Sequence, residues 1–385
     1  MRSNLDEIRG SALSYADSSR HKYRGKVINM GIGEPDFRTP PEIIKTAHKA
    51  LLEGRTHYAD NQGLEELREI ISKRLRTENK LVYDTNEIIV TPGAKHAIFE
   101  AVMSVVEPGD KVVILSPHWP SFEDIVKIAG GVPSFLDILS DDNLDEKISQ
   151  TIDNETKLVI INSPNNPSGK ILSYNELKRI ADEAASKDFL VLSDEIYDKI
   201  TYETKPVSIG SLPGMRERTV TINGFSKTFA MTGWRIGYAA ASSNVIKRMA
   251  KIQQHTVTCV PPFSQLAAVT ALTSKEVQRC VQRMIIQYRK RRELLVHGLE
   301  QMPQLFVSSP EGTFYVFPKF EYQNMNSLDF AKFLFSKCGV KVAPGAMFGG
   351  YDDRIRLSFS ISTDEIRDAL SRLSKAVQGG DSASK

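Results

Sequence analysis

Five short apolar runs between residues 88 and 223 are predicted as strands: Ile88–Val90, Lys111–Leu115, Leu158–Asn162, Leu190–Ser193 and Val220–Asn223. Runs this short and this rich in Val, Ile and Leu suit strands covered on both faces. Apolar positions at helical spacing predict helices over Ala94–Val106, Tyr174–Lys187 and Val277–Glu300. Such alternation implies an α/β fold whose large domain has a mainly parallel central sheet flanked by helices. After about Met302 the pattern changes. Thr313–Pro318 and Arg354–Ser360 alternate like half-exposed strands, and Ser327–Lys337 and Thr363–Ala376 have helical spacing, which predicts a smaller α+β domain. The expected divisions are an N-terminal segment (1–40) packing with the small domain, a large domain (41–300), a small domain (301–378) and a frayed tail (379–385).

Composition narrows the function classes. The chain has 385 residues, enough for two or three domains around a sizeable core. Lys and Arg number 50 against 47 Asp and Glu, a net charge of +3, too balanced for a dedicated nucleic-acid binder. No apolar run approaches the ~18 residues of a membrane span, and the first residues lack the apolar stretch of a secretion signal. A cytoplasmic protein is expected. The cysteines, Cys259, Cys280 and Cys338, show no C-x-x-C spacing, so they are expected as buried thiols in a reducing compartment. The seven histidines form no H-E-x-x-H, and no metal site is expected.

Parallel sheets place ligands at the carboxyl ends of their strands, so the residues just past each run matter most. After Ile88–Val90 come Gly93, Ala94 and Lys95, a glycine turn opening a helix, which is either an ordinary helix start or a phosphate cradle. Trp119 comes after Lys111–Leu115 as core or as a platform for a flat ring. Asn165–Asn166 sits between Pro164 and Pro167 in a loop presenting amides. Asp194 ends a buried strand, where a carboxylate needs a cationic partner, with Tyr197 three residues on. Ser226 and Lys227 come after the last run, and Lys227 sits among small and apolar residues that can lower an amine's pKa. Competing motifs fail. Pro164 stands where a phosphate-binding Walker loop needs glycine, Thr228 where a nucleophile elbow needs glycine, and no G-x-G-x-x-G links strand to helix.

Taken together, a phosphate-type helix start, an aromatic, an amide loop, an Asp-x-x-Tyr strand end, a lysine and Arg235 eight residues later suit an anionic, planar heteroaromatic aldehyde. The stretch from Ser226-Lys227-Thr228 to Gly233-Trp234-Arg235 resembles a signature of the class I/II (fold type I) aminotransferases of pyridoxal phosphate. So do Gly31-Ile32-Gly33-Glu34-Pro35-Asp36-Phe37, Asn165-Asn166-Pro167 and Ser193-Asp194-Glu195-Ile196-Tyr197. The resemblance runs from about residue 25 to about 376 and is nearest to the bacterial and archaeal aspartate aminotransferase branch.

That resemblance implies a cofactor, pyridoxal 5'-phosphate, held as a Schiff base on Lys227, whose amine also shuttles the substrate's proton. It implies Asp194 on the pyridine nitrogen, Tyr197 and Asn166 on the phenolic oxygen, and Trp119 on the ring face. Gly93, Ala94, Lys95, Ser226 and Arg235 would take the phosphate, and Tyr58 would reach the phosphate of a second copy, making a homodimer with composite sites. The pattern of an arginine before an apolar residue and serine selects Arg356, rather than Arg354, for the substrate's α-carboxylate, with Gly33, Trp119 and Asn166 beside it. Two positions depart from the family pattern. Gly224 stands where many relatives carry serine, and Arg38 is either a surface charge or a group near the cleft mouth.

The implied activity is transamination between an L-amino acid and a 2-oxo acid. Lys95 matches a lysine that the aspartate branch uses on a distal carboxylate, so L-aspartate and 2-oxoglutarate lead. Aromatic amino acids, alanine, kynurenine and prephenate are alternatives, with Phe314 and Tyr315 as candidate side-chain neighbours. Two other readings are a β-eliminating C–S lyase on the same fold and a non-enzymatic transcriptional sensor, which would need an additional DNA-binding domain. No nucleic acid or membrane is expected as a partner.

Overall fold

The structure is a computed structural model and describes residues 23, 25–139 and 144–378. The tail and most of the segment before residue 25 lie outside the described residues. At the centre is a seven-stranded sheet: β1 (Ile88–Thr91), β2 (Lys111–Ser116), β3 (Val132–Asp137), β4 (Thr156–Asn162), β5 (Leu190–Asp194), β6 (Thr219–Gly224) and β7 (Gly237–Ala240). Its spatial order is β1-β7-β6-β5-β4-β2-β3, parallel except for β7, which runs antiparallel to both neighbours. Consecutive residues point to opposite faces, and both faces are covered. Val112, Ile114, Leu158 and Ile160 pack with Ala97, Ala101 and Val105 of α1 (Ala94–Val105). Val113, Leu115, Val159 and Ile161 pack with Leu177, Ile180 and Ala184 of α2 (Tyr174–Lys187). Ser173 opens α2 with a reciprocal capping box to Glu176.

All five strands predicted from the apolar runs are present, and two more join them. β3 is one of the two edge strands and, unlike β1 at the other edge, is half-exposed, with Pro133 inside it, so no continuous apolar run marks it. β7 is Gly-Tyr-Ala-Ala, whose small residues let the sheet approach the start of α1. A Cβ on Gly237 would lie 2.5 Å from the Ala94 amide nitrogen.

Beyond α3 (Lys275–Glu300), Tyr315–Val316 pairs antiparallel with Ile355–Ser358, which pairs with Ala343–Pro344. The expectation of half-exposed strands here is wrong, since residues 313–318 and 355–360 are all buried. Val316 and Leu357 pack with Ile366 and Leu373 of the last helix, while Tyr315 and Arg356 line a cavity. Apolar and polar residues thus alternate between a helix layer and a polar interior, not between core and solvent. Ile28–Asn29 adds a parallel pair to Val340–Lys341. The thiols also differ from expectation: all three cysteines are free, but only Cys338 is buried, because Cys259 lies in the loop between helices Ser243–Thr256 and Pro262–Thr273 and Cys280 on the partly open face of α3. Among the described residues no helix is long and apolar enough to cross a membrane.

Candidate active site

The strand ends converge on a cavity of about 360 Å³, within the size range of small-molecule sites. Its lining includes Gly33, Ala94, Lys95, Trp119, Asn166, Asp194, Tyr197, Ser226, Lys227, Arg235 and Arg356, residues that the sequence scatters over more than three hundred positions.

Lys227 comes just after β6, and its Nζ donates to the Gly33 carbonyl at 2.5 Å. Burial holds this amine down to about 8, with Glu34 opposing the shift and Arg356 and Arg235 adding to it. Asp194, at the end of β5, is 5% exposed, and its Oδ1 accepts from the Ile196 N–H at 3.2 Å. Burial pushes this carboxyl up to about 7, with the Ile196 N–H and the Lys227 charge opposing the shift. Asn162 ties the neighbouring loop to it: Asn162 Nδ2 donates to the Asp194 carbonyl at 3.0 Å, and its Oδ1 accepts from the Asn166 N–H at 2.8 Å. Asn162 lines the cavity, yet sequence reasoning assigns it no role. Its signal is present in the chain, an amide at the carboxyl end of a buried strand.

Tyr197 meets the Tyr315 hydroxyl at 3.1 Å, and burial pushes both phenols above their ordinary range. Arg356 is 4% exposed, donates from Nη1 to Asn166 Oδ1 at 2.9 Å and from Nη2 to the Gly31 carbonyl at 2.7 Å. Its guanidinium lies 4.4 Å from the Tyr315 ring centre and 4.8 Å from that of Phe348, and its Nε has no partner. Arg354 instead faces Phe317, donating to its carbonyl at 3.2 Å.

At the other end, Gly93 (φ +84°) opens α1 without a side-chain cap, and neither Ala94 nor Lys95 has a protein acceptor for its backbone N–H among the described residues. A Cβ on Gly93 would lie 2.6 Å from Arg235 Nη2, so the guanidinium closes over this helix start with no carboxylate partner. Lys95 Nζ lies 4.7 Å from the Trp119 ring centre. Partial burial, then the Arg235 charge, hold its pKa below the ordinary lysine value. A side chain at Gly224 would be crowded, since a Cβ there would lie 3.1 Å from Gly237 Cα and 3.2 Å from Ile196 Cδ1. Gly93 and Tyr58 are absent from the cavity lining, and Tyr58 is 87% exposed. Arg38 is exposed and also outside the lining, and Phe314 packs behind Tyr197 and Tyr315.

The model of the family described as "Aminotransferase class I and II" matches residues 25–373. The chain belongs to the class I and II aminotransferases. It is 40% identical to the aspartate aminotransferase of Pyrococcus abyssi over 91% of this chain and 92% of that one. It is 36% identical to aromatic-amino-acid aminotransferase 2 of Thermococcus litoralis, covering 91% and 92%. The solved aspartate aminotransferase of Thermus thermophilus with maleate superposes with a TM-score of 0.91 at 35% identity, covering 98% of this chain and 99% of that one. Aminotransferases of this family depend on pyridoxal 5'-phosphate, and the cavity fits that group. The uncapped helix start beneath Arg235 suits a phosphate, the buried Asp194 carboxylate suits a protonated ring nitrogen, and Lys227 supplies an amine of lowered pKa.

Proposed function

We propose that this aminotransferase transfers the amino group of L-aspartate to 2-oxoglutarate, with Lys227 as the cofactor-binding lysine and proton carrier. When bound, the cofactor supplies the electron sink that lets the Cα–H bond of an amino acid ionise. The protein's part is proton handling and orientation. Asp194 would hold the proton on the ring nitrogen, a pairing that burial of the carboxylate makes favourable. Tyr197 and Asn166 orient the ring's phenolic side, and Trp119 covers a face. Ala94, Lys95, Ser226 and Arg235 grip the phosphate; Gly93, expected among them, instead spends its N–H on the Thr91 carbonyl at 2.7 Å and shapes the turn that leaves the next two amides free. The Lys227 amine would take the proton from the substrate's Cα and hold it on Nζ as an ammonium until it is given back to the substrate–cofactor pair, a task suited to an amine near 8. Arg356 receives the α-carboxylate as a bidentate fork, next to the main chain of Gly33.

The observation that carries the aspartate reading is Lys95. Its amine stands over Trp119 at the cavity wall, in the same lining as Asp124, whose charge favours the ammonium form, and it is placed to meet a substrate's second carboxylate. The names of the aspartate aminotransferase relatives support it. An aromatic donor is the second reading, supported by Ile32, Trp119 and Phe348 in the same lining and by the aromatic relative. We also infer a homodimer in which Tyr58 serves the neighbouring copy's phosphate. Tyr58 projects into solvent, and Ile44, Leu51 and Leu52 leave an apolar stripe exposed on the nearby helix Pro41–Leu52.

Lys95→Gln tests the substrate choice. It should lower kcat/KM for L-aspartate by about ten- to a hundredfold and leave L-phenylalanine nearly unchanged. An equal fall for both donors would exclude Lys95 as the selector.

A further inference from the structure

The main chain that faces Arg356 is held in place from outside the cavity. Residues 31–34 line the site, and this stretch contains Gly31 and Gly33, whose backbone freedom must be restrained if their carbonyl and amide groups are to keep a fixed place. One anchor is the Met30 carbonyl, which accepts from the Ser358 N–H at 2.7 Å. The other is Asp36. Arg291 of α3 pairs with it through both arms, Nη1 to Oδ1 at 2.8 Å and Nη2 to Oδ2 at 2.9 Å. Ser360 completes the junction: its Oγ accepts from the Asp36 N–H at 2.9 Å, lies 3.0 Å from the Tyr288 hydroxyl and donates to Asp36 Oδ1 at 3.2 Å. Phe37 packs edge-on against Tyr288 at 5.3 Å, and the Arg291 guanidinium covers Phe37 at 4.8 Å.

Arg291 has 9% of its side chain exposed, and nothing in its local sequence singles it out. Ser358 and Ser360 belong to the strand that carries Arg356 and its immediate continuation, so both anchors tie the Gly31–Gly33 main chain to the same segment. We propose that Arg291 is a positioning residue for the substrate's α-carboxylate: through Asp36 it keeps the Gly31–Gly33 main chain at a fixed separation from Arg356. This rests on the reading that Arg356 and Gly33 receive the carboxylate. The group positioned is common to both substrates, so the effect falls on amino acid and oxo acid alike, whatever their side chains. The phosphate cradle at Gly93 and Arg235 and the Asp194 carboxylate lie on other elements, while the Lys227 amine meets this main chain at the Gly33 carbonyl.

The test uses holoenzyme of Arg291→Met, Asp36→Asn and Arg291→Lys, with Arg356→Lys as a control, measuring KM for both substrates and cofactor affinity by absorbance titration. Arg291→Met and Asp36→Asn should each raise both KM values about tenfold or more with cofactor affinity unchanged, and the double variant should be no worse than either single one. Arg291→Lys keeps the charge but not the fork and should restore only part of the loss. Asp36→Asn removes no volume and keeps the measurement informative should Arg291→Met fold poorly. Unchanged KM in Asp36→Asn, or a loss of cofactor affinity in step with KM, overturns the proposal. If Arg356→Lys also leaves KM unchanged, the carboxylate reading beneath it falls as well.

Discussion

Replacing Glu34 with glutamine should move the titration of the Lys227 amine downward, and replacing Arg356 with methionine should move it upward. Burial is the main cause of the lowered value, Glu34 is the chief opposing charge, and Arg356 is the chief cation pushing in the same direction as burial. Lysine ordinarily titrates at 10.5, and here the amine is held at about 8. At pH 7 an amine of the first kind is neutral in about one molecule in three thousand, and one of the second kind in about one in eleven. The site therefore presents about 300 times more nucleophilic amine at neutral pH. Competitive acetylation of the cofactor-free protein, read peptide by peptide in a mass spectrometer, follows the neutral amine directly. Lys227 should reach half its limiting rate near pH 8, while solvated lysines are still gaining rate above pH 10. A Lys227 midpoint near 10.5, or shifts of the same sign in the two variants, would refute the electrostatic account of its activation.

Asp194→Asn should stabilise the cofactor-free protein above pH 7 while abolishing turnover. The folded carboxyl keeps its proton to about pH 7 and the unfolded one only to about 3.8, so folding loses stability as pH rises between these values. The asparagine variant escapes that loss, which is at most on the order of 4 kcal/mol above pH 7 and absent below about pH 4. Thermal melts across pH check it, and wild type melting higher at pH 8 would contradict it. Gly237→Ala should weaken cofactor binding by about five- to a hundredfold through about 1–3 kcal/mol of overpacking, because its Cβ meets the main chain of Gly93 and Ala94; an unchanged absorbance titration would count against the cradle. Mixing Tyr58→Ala protein with Lys227→Ala protein should recover high-affinity cofactor binding at one site per hybrid dimer, measured by activity at low cofactor. A mixture no better than Tyr58→Ala alone argues against composite sites.

Much of the fold and the site is legible in the chain because the fold repeats one device, an apolar strand whose end delivers a polar residue to a common edge. β2, β4, β5 and β6 are buried on both faces, so their runs stand out, and Asp194, Asn166 and Lys227 are found directly from where the runs stop. β7 escapes notice because its residues are small for the sake of α1, and β3 because an edge strand needs no continuous apolar run. The strand of Arg356 misleads for a different reason. Alternation shows that two faces differ, and here the polar face meets a cavity instead of solvent. Arg291 has no local signal to be read, and the amide of Asn162 at a strand end marks the position without telling what it holds. Their partners lie 255 residues away for Arg291–Asp36 and 32 away for Asn162–Asp194, so only the fold shows what they hold.

The most direct test of aspartate transamination at Lys227 is the absorption spectrum of the cofactor-loaded protein before and after L-aspartate, with no oxo acid present. The visible band of the lysine-bound cofactor should disappear as one oxaloacetate forms per site, and Lys227→Ala should show neither the band nor the product. A band untouched by L-aspartate would contradict the substrate assignment, and a Lys227→Ala protein that still makes oxaloacetate would contradict the role given to Lys227.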